Sequence, residues 1–244
     1  IIWSVYTSSN LTYESIPSFI NENTGWLING NTIYKTTNGG INFLNQGSST
    51  FTIYDYKFLN EYTGFAQTST QIYITTNSGS NWTTNYYNAA AVNFLNGSTG
   101  ILGTTSGQFL NTTNTGTNWS SLGTSALYNG DLFDVYFPNE NYGWAISFNR
   151  MLKTSTGGNI WLLESNPTAI QYKTIKFLNQ NTGAAGTIGG ILLTTTMGNN
   201  WHKATGSEFD SCTFTDINIC SQNTWFSLGY GPNFPLLVKS TMVD

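Results

Sequence analysis

The chain has 244 residues, of which eight are Lys or Arg and twelve Asp or Glu, so charge makes up 8% of it where about 25% is usual. A net charge of −4 and a single arginine, Arg150, exclude the cationic footprint that neutralises nucleic-acid phosphates. No apolar run approaches the roughly 18 residues of a membrane-spanning helix. Polarity comes instead from 37 Thr, 31 Asn and 23 Ser, and the eight Trp, fourteen Tyr and fifteen Phe are enough for a large core.

Read from the N-terminus, the chain repeats itself. A Phe-x-Asn-x-x-x-Gly stretch occurs at Phe19–Gly25, Phe58–Gly64, Phe94–Gly100, Phe137–Gly143 and Phe177–Gly183, with a degenerate sixth copy at Ile219–Thr224 running into Trp225. In fixed phase with it runs a second landmark, Thr-x-Asn/Thr-x-Gly-x-x-aromatic. Its copies are Thr36–Phe43, Thr75–Trp82, Thr112–Trp119, Thr154–Trp161 and Thr194–Trp201. Short runs such as Thr32-Ile-Tyr-Lys-Thr36 and Gly190-Ile-Leu-Leu-Thr194 are rich in β-branched and aromatic residues and bounded by Gly, Asn and Ser. They predict strands and tight turns, with no helical stripe anywhere.

Four such runs per repeat of about 40 residues is the size of one blade of a β-propeller. The reading is an all-β chain, a six-bladed β-propeller of four-stranded antiparallel blades in one domain spanning residues 1–244. The C-terminal Leu237–Asp244 matches a repeat up to its turn, and Ile1-Ile2-Trp3 supplies the next three residues. The N-terminal strand is therefore expected to complete the last blade and close the ring, removing open sheet edges.

The second landmark resembles the Asp-box of bacterial-neuraminidase-type (BNR-like) repeats. The wider unit is similar to the repeats of photosystem II assembly and stability-factor propellers, which many secreted bacterial proteins carry. The resemblance covers essentially the full chain and implies the fold. Its chemistry does not transfer: a sialidase implies three arginines clamping a carboxylate, and the assembly factors imply an arginine patch, whereas this chain has Arg150 alone. The box is expected to be structural. Its Thr and Asn bond turn backbone, its Gly takes positive φ, and its Trp wedges under the next blade. The family's Asp is replaced by Asn38, Asn77, Asn114, Thr156, Thr196 and Met242. Asn preserves such a turn and Thr does so more weakly.

Three residues before each repeat's Phe stand Ile16, Asp55, Ala91, Asp134, Thr174 and Asp216, so aspartate recurs in every second blade. On the innermost strands these three carboxylates would ring the central axis and suit a hard cation such as calcium, or a ligand. The competing reading is that each caps a turn through backbone N–H groups. Cys212 and Cys220 are a disulfide candidate if a bend separates them, and two thiols otherwise. His202 is the lone histidine and lacks the partners of a metal site or catalytic triad. No catalytic residue is assigned. A non-catalytic, secreted or cell-surface module is expected, binding protein or glycan or associating with itself. The alternative is a carbohydrate-binding or glycoside-hydrolysing propeller using the axial aspartates, with Asp131 and Asp210 nearby.

Overall fold

The computed structural model describes residues 16–69, 71–122, 132–164, 171–204, 211–221, 224–231 and 235–241. Every regular element in them is a β-strand, and all strand pairing is antiparallel. Two compact units are formed: residues 1–89, 96–98 and 113–118 in the first, and 90–95, 99–112 and 119–244 in the second.

The first unit holds two four-stranded sheets. One is β1 (Ile16–Phe19), β2 (Gly25–Asn29), β3 (Thr32–Thr36) and β4 (Leu44–Ser48); the other is β5 (Asp55–Phe58), β6 (Gly64–Gln67), β7 (Gln71–Thr75) and β8 (Thr83–Tyr87). Each sheet pairs its strands in chain order, as consecutive hairpins do. The two pack face to face through Trp26, Ile28 and Ile33 against Ile53, Tyr56, Phe58 and Ala66.

The second unit continues the pattern. Its first sheet comprises β9 (Ala89–Phe94), β10 (Gly100–Thr104), β11 (Phe109–Thr112) and β12 (Ser120–Leu122). Next come β13 (Leu132–Tyr136), β14 (Gly143–Ser147), β15 (Met151–Thr154) and β16 (Leu162–Leu163), then β17 (Tyr172–Phe177), β18 (Gly183–Thr187), β19 (Gly190–Thr194) and β20 (His202–Lys203). A sheet of three described strands follows: β21 (Thr213–Ser221), β22 (Thr224–Tyr230) and β23 (Pro235–Thr241). Leu122 and Phe109 pack on Leu132 and Trp161, Trp144 and Met151 on Tyr172 and Phe177, and Ala184 on Ile217 and Trp225.

The Phe-x-Asn-x-x-x-Gly spacing has a steric cause. It closes the hairpin between the first two strands of a sheet so that Phe and Gly face each other, as Phe19↔Gly25, Phe58↔Gly64 and Phe177↔Gly183 do. The ring lies over the glycine: a Cβ on Gly183 would stand 2.4 Å from Phe177. Glycine is needed here for space, not for an unusual φ. The Asn folds the turn, Asn179 Oδ1 accepting N–H groups of Asn181 and Thr182 at 2.8 and 2.9 Å. In the last sheet the pair is Ile219↔Trp225, with the bulk moved to the second strand.

The aromatic placement corrects one expectation. The box Trp does not reach the following sheet. It lies edge-on to its own repeat's Phe, as Trp82–Phe58, Trp119–Phe94, Trp161–Phe137 and Trp201–Phe177 show at 5.7–6.2 Å between centroids. Trp161 also stacks on Phe109 of the preceding sheet. The contact to the following sheet is made by the Trp after the turn glycine: Trp26 stacks on Phe58 at 3.7 Å and Trp144 on Phe177 at 3.6 Å.

Candidate functional site

The second landmark is a turn between the third and fourth strands that binds its own backbone. Thr75 Oγ1 accepts the Gly79 N–H at 2.9 Å and donates to Asn77 Oδ1, which accepts the Asn81 N–H at 2.9 Å. Thr takes the Asn position without loss of the bond. Thr156 Oγ1 accepts the Ile160 N–H at 2.9 Å, and Thr196 Oγ1 accepts the Asn200 N–H at 3.0 Å. The β-hydroxyl reaches the same N–H as an Asn carbonyl, but the contact inside the turn is longer, 3.3 Å at Thr154–Thr156 and 3.4 Å at Thr194–Thr196 against 2.9 Å at Thr36–Asn38 and 3.0 Å at Thr75–Asn77, in line with the weaker turn expected of Thr. Two successive residues take positive φ, such as Met197 at 61° and Gly198 at 77°. The first of the pair ties back to the hairpin turn beside it, the Met197 N–H donating to Asn181 O at 3.0 Å.

The three aspartates lie on the first strands of their sheets, and each has its carboxylate at backbone N–H groups. Asp55, exposed at the start of β5, accepts the Tyr56 N–H at 2.8 Å; Asp216 on β21 accepts the Ile217 N–H at 2.8 Å. Asp134 on β13 reaches the neighbouring first strand, β17. Its Oδ2 accepts the Thr174 hydroxyl at 3.1 Å, the Ile175 N–H at 3.0 Å and the Lys176 ammonium at 3.1 Å. In the second unit this position follows an irregularity in register, between Leu132 and Asp134, Tyr172 and Thr174, and Phe214 and Asp216. The extra residue of a bulge re-aims the side chains around it.

A small electrostatic network results. Asp216 is exposed as a residue, but partial desolvation of its carboxyl raises it above the ordinary carboxylate range; Lys176 and the Ile217 N–H oppose the rise and Asp134 adds to it. Burial likewise raises Tyr136, with Lys176 lowering and Asp134 raising it, and the Lys176 ammonium stands 5.4 Å from the centre of the Tyr136 ring. Lys176 therefore supplies Asp134 with a cation from the chain itself. Among the described residues, no group of three or more His, Cys, Asp or Glu side chains is arranged to hold a metal ion.

Sequence reasoning missed Lys176. The available signal was a lysine directly before the repeat's Phe, found at Lys57 and Lys176, but its partner sits 42 residues earlier on another sheet. The disulfide candidate is corrected by the strand. Cys212 is buried just before β21 and Cys220 lies within it, and β21 pairs with β22 from Thr213 to Ser221. Eight extended steps of about 3.3 Å separate the two Cα atoms by roughly 25 Å, while a disulfide needs about 7 Å or less. The bend that a bridge requires is not there. His202 is exposed on β20, opposite Leu193. Tyr172 is fully buried in the core. Asp131, Asp210, Met242 and the N-terminal Ile1–Trp3 lie outside the described residues.

No family model matches the chain, and no curated protein matches it. Solved structures do. YCF48 from Cyanidioschyzon merolae is similar at a TM-score of 0.71 and 17% identity, over 92% of this chain and 79% of that one. An ancestral GH74 enzyme is similar at 0.66 and 18%, over 88% of this chain, and the GH74 enzyme of Niastella koreensis at 0.64 and 16%, over 92%. This chain spans only about a third of either enzyme, 34% and 36% of their lengths. At these identities the likeness defines a fold, and that fold is the β-propeller.

Proposed function

We propose that the chain is a six-bladed propeller of Asp-box-like repeats, closed by its N-terminal strand, that serves as a non-catalytic interaction module at the cell surface or in a secreted assembly. The observation that supports this reading most is where the recurring polar side chains spend their hydrogen bonds. The box Thr and Asn bind their own turns, and Asp134 is held by Thr174, Ile175 and Lys176. These groups build blades and blade contacts. A surface poor in Lys and Glu also favours packing against protein or glycan, since few long charged side chains must be ordered or desolvated.

A second reading, a carbohydrate-binding or glycoside-hydrolysing propeller, draws on the enzymes that share the fold and on the carboxylates of Asp55, Asp134 and Asp216. A glycan array combined with a hydrolysis screen separates the two. Turnover lost in Asp134→Asn would overturn the non-catalytic reading. Calcium at the aspartates has its own test: a melting temperature that rises with calcium in the wild type but not in Asp134→Asn supports it, and no shift in either discards it. Native mass spectrometry with crosslinking tests self-association, for which a strictly monomeric chain is the adverse result.

A further inference from the structure

The third Phe-x-Asn turn differs chemically from the other four. Asparagine leads each of them, but the residue after it is Glu22, Glu61, Glu140 or Gln180 elsewhere and Gly97 here. Asn96 is exposed, and its Oδ1 accepts both the Ser98 N–H at 2.9 Å and the Ser98 hydroxyl at 3.1 Å. A methyl group added to Gly97 would meet nothing within 4 Å, so nothing packs against the peptide on that side.

We propose that Asn96 is a site of spontaneous, structure-assisted deamidation that yields aspartate and isoaspartate. The Gly97 backbone nitrogen attacks Asn96 Cγ, forming the new C–N bond and placing negative charge on Oδ1. The two Ser98 donors already point at that oxygen and stabilise the charge as it develops. The proton of the Gly97 nitrogen passes through water to the departing amide, which leaves as ammonia and closes a succinimide. Water then adds to either imide carbonyl, giving aspartate or isoaspartate. Water is the only co-reactant, and nothing is oxidised or reduced.

Asn38 Oδ1 also accepts two donors, the Thr36 hydroxyl at 2.9 Å and the Asn42 N–H at 3.0 Å, so what sets Asn96 apart from the other Asn-Gly pairs is the freedom of the peptide that must attack. The Gly39 N–H, which would have to attack Asn38, donates to Asn23 O at 2.8 Å, and a Cβ on Gly39 would meet Glu22 O at 3.1 Å. Asn29 is fixed in the β2–β3 ladder opposite Thr32. Asn129–Gly130 lies outside the described residues. The product has a structural consequence in the third turn. Ser98 O accepts the Thr115 N–H at 2.8 Å and Gly97 O accepts the Thr115 hydroxyl at 3.0 Å. An isoaspartate lengthens the backbone by one methylene and loosens that tie, and either product adds one negative charge.

The test is incubation of the folded chain at mildly alkaline pH, followed by peptide mass spectrometry and isoaspartyl-methyltransferase labelling. Asn96 is expected to convert about tenfold faster than Asn38, whose attacking Gly39 nitrogen must first give up its hydrogen bond to Asn23 O, and the two rates to converge in denaturant, where each is simply an Asn-Gly pair. Ser98→Ala should lower the folded-to-unfolded rate ratio at Asn96. A folded chain in which Asn38 converts as fast as Asn96, or a Ser98→Ala ratio equal to or above the wild-type value, overturns the proposal.

Discussion

Gly183→Ala tests the physical basis of the repeat. The added methyl would lie 2.4 Å from Phe177 Cδ1 and 2.6 Å from Cγ and Cε1, well inside van der Waals contact. The ring has nowhere to go: Trp144 stacks on one face at 3.6 Å and Trp201 meets it edge-on at 5.9 Å. Relief must come from the backbone of β17 and β18 or from an off-rotamer ring, and overpacking of this kind costs about 2–3 kcal/mol. For a chain of this size that is a drop of roughly 5–10 °C in melting temperature. Gly97→Ala is the control, because its methyl enters open space, and it should stay within about 0.5 kcal/mol of wild type. Adding Phe177→Leu to Gly183→Ala should give less than the summed cost, since the two residues are in direct contact. Thermal and urea denaturation of wild type, Gly183→Ala, Gly97→Ala, Phe177→Leu and the double variant measures all of this. A Gly183→Ala chain as stable as the control would refute the ring-over-glycine account of the motif.

Three further outcomes are expected. Thr156→Val removes the hydroxyl that accepts the Ile160 N–H and should cost about 1 kcal/mol, while Thr156→Asn should be near neutral; urea midpoints check both, and equal behaviour of the two would contradict the turn geometry. Asp134→Ala strips Thr174, Ile175 and Lys176 of their shared acceptor. With solvent screening allowed for, about 1–2 kcal/mol of stability should be lost, and Lys176→Ala in the Asp134→Ala background should then add little. Burial holds the Glu164 carboxyl above its ordinary value, with Lys153 pulling the other way. A carboxyl raised on folding stabilises fully below its unfolded pKa and loses that contribution as pH rises through its folded pKa. Glu164→Gln should therefore match wild type at acidic pH and exceed it at neutral pH, and a difference independent of pH would speak against the burial.

Much of the fold was legible in the sequence because it lies in short-range rules. The paired landmarks, spaced Thr-to-Trp and Phe-to-Gly, mark hairpin turns closed within eight residues, and the strands between them are short apolar and β-branched runs bounded by turn residues. The turn roles of Asn77 and Asn179 follow from what an Asx side chain can reach locally. Whether Cys212 and Cys220 meet stayed open in the sequence for a related reason: an eight-residue gap says nothing about whether the segment folds back, and only the pairing of β21 with β22 showed it extended.

Composition and repeat thus determined, without coordinates, that this chain builds antiparallel hairpin sheets and lacks the arginines of the families it resembles. Tertiary structure alone decided which partner each conspicuous side chain takes. Asp134 meets Lys176 across two sheets, Trp144 stacks on a Phe 33 residues later, and the box Trp turns toward its own repeat. Such pairings join residues distant in the chain, and their geometry is set by how one twisted sheet stacks on the next, a relation that no local pattern encodes.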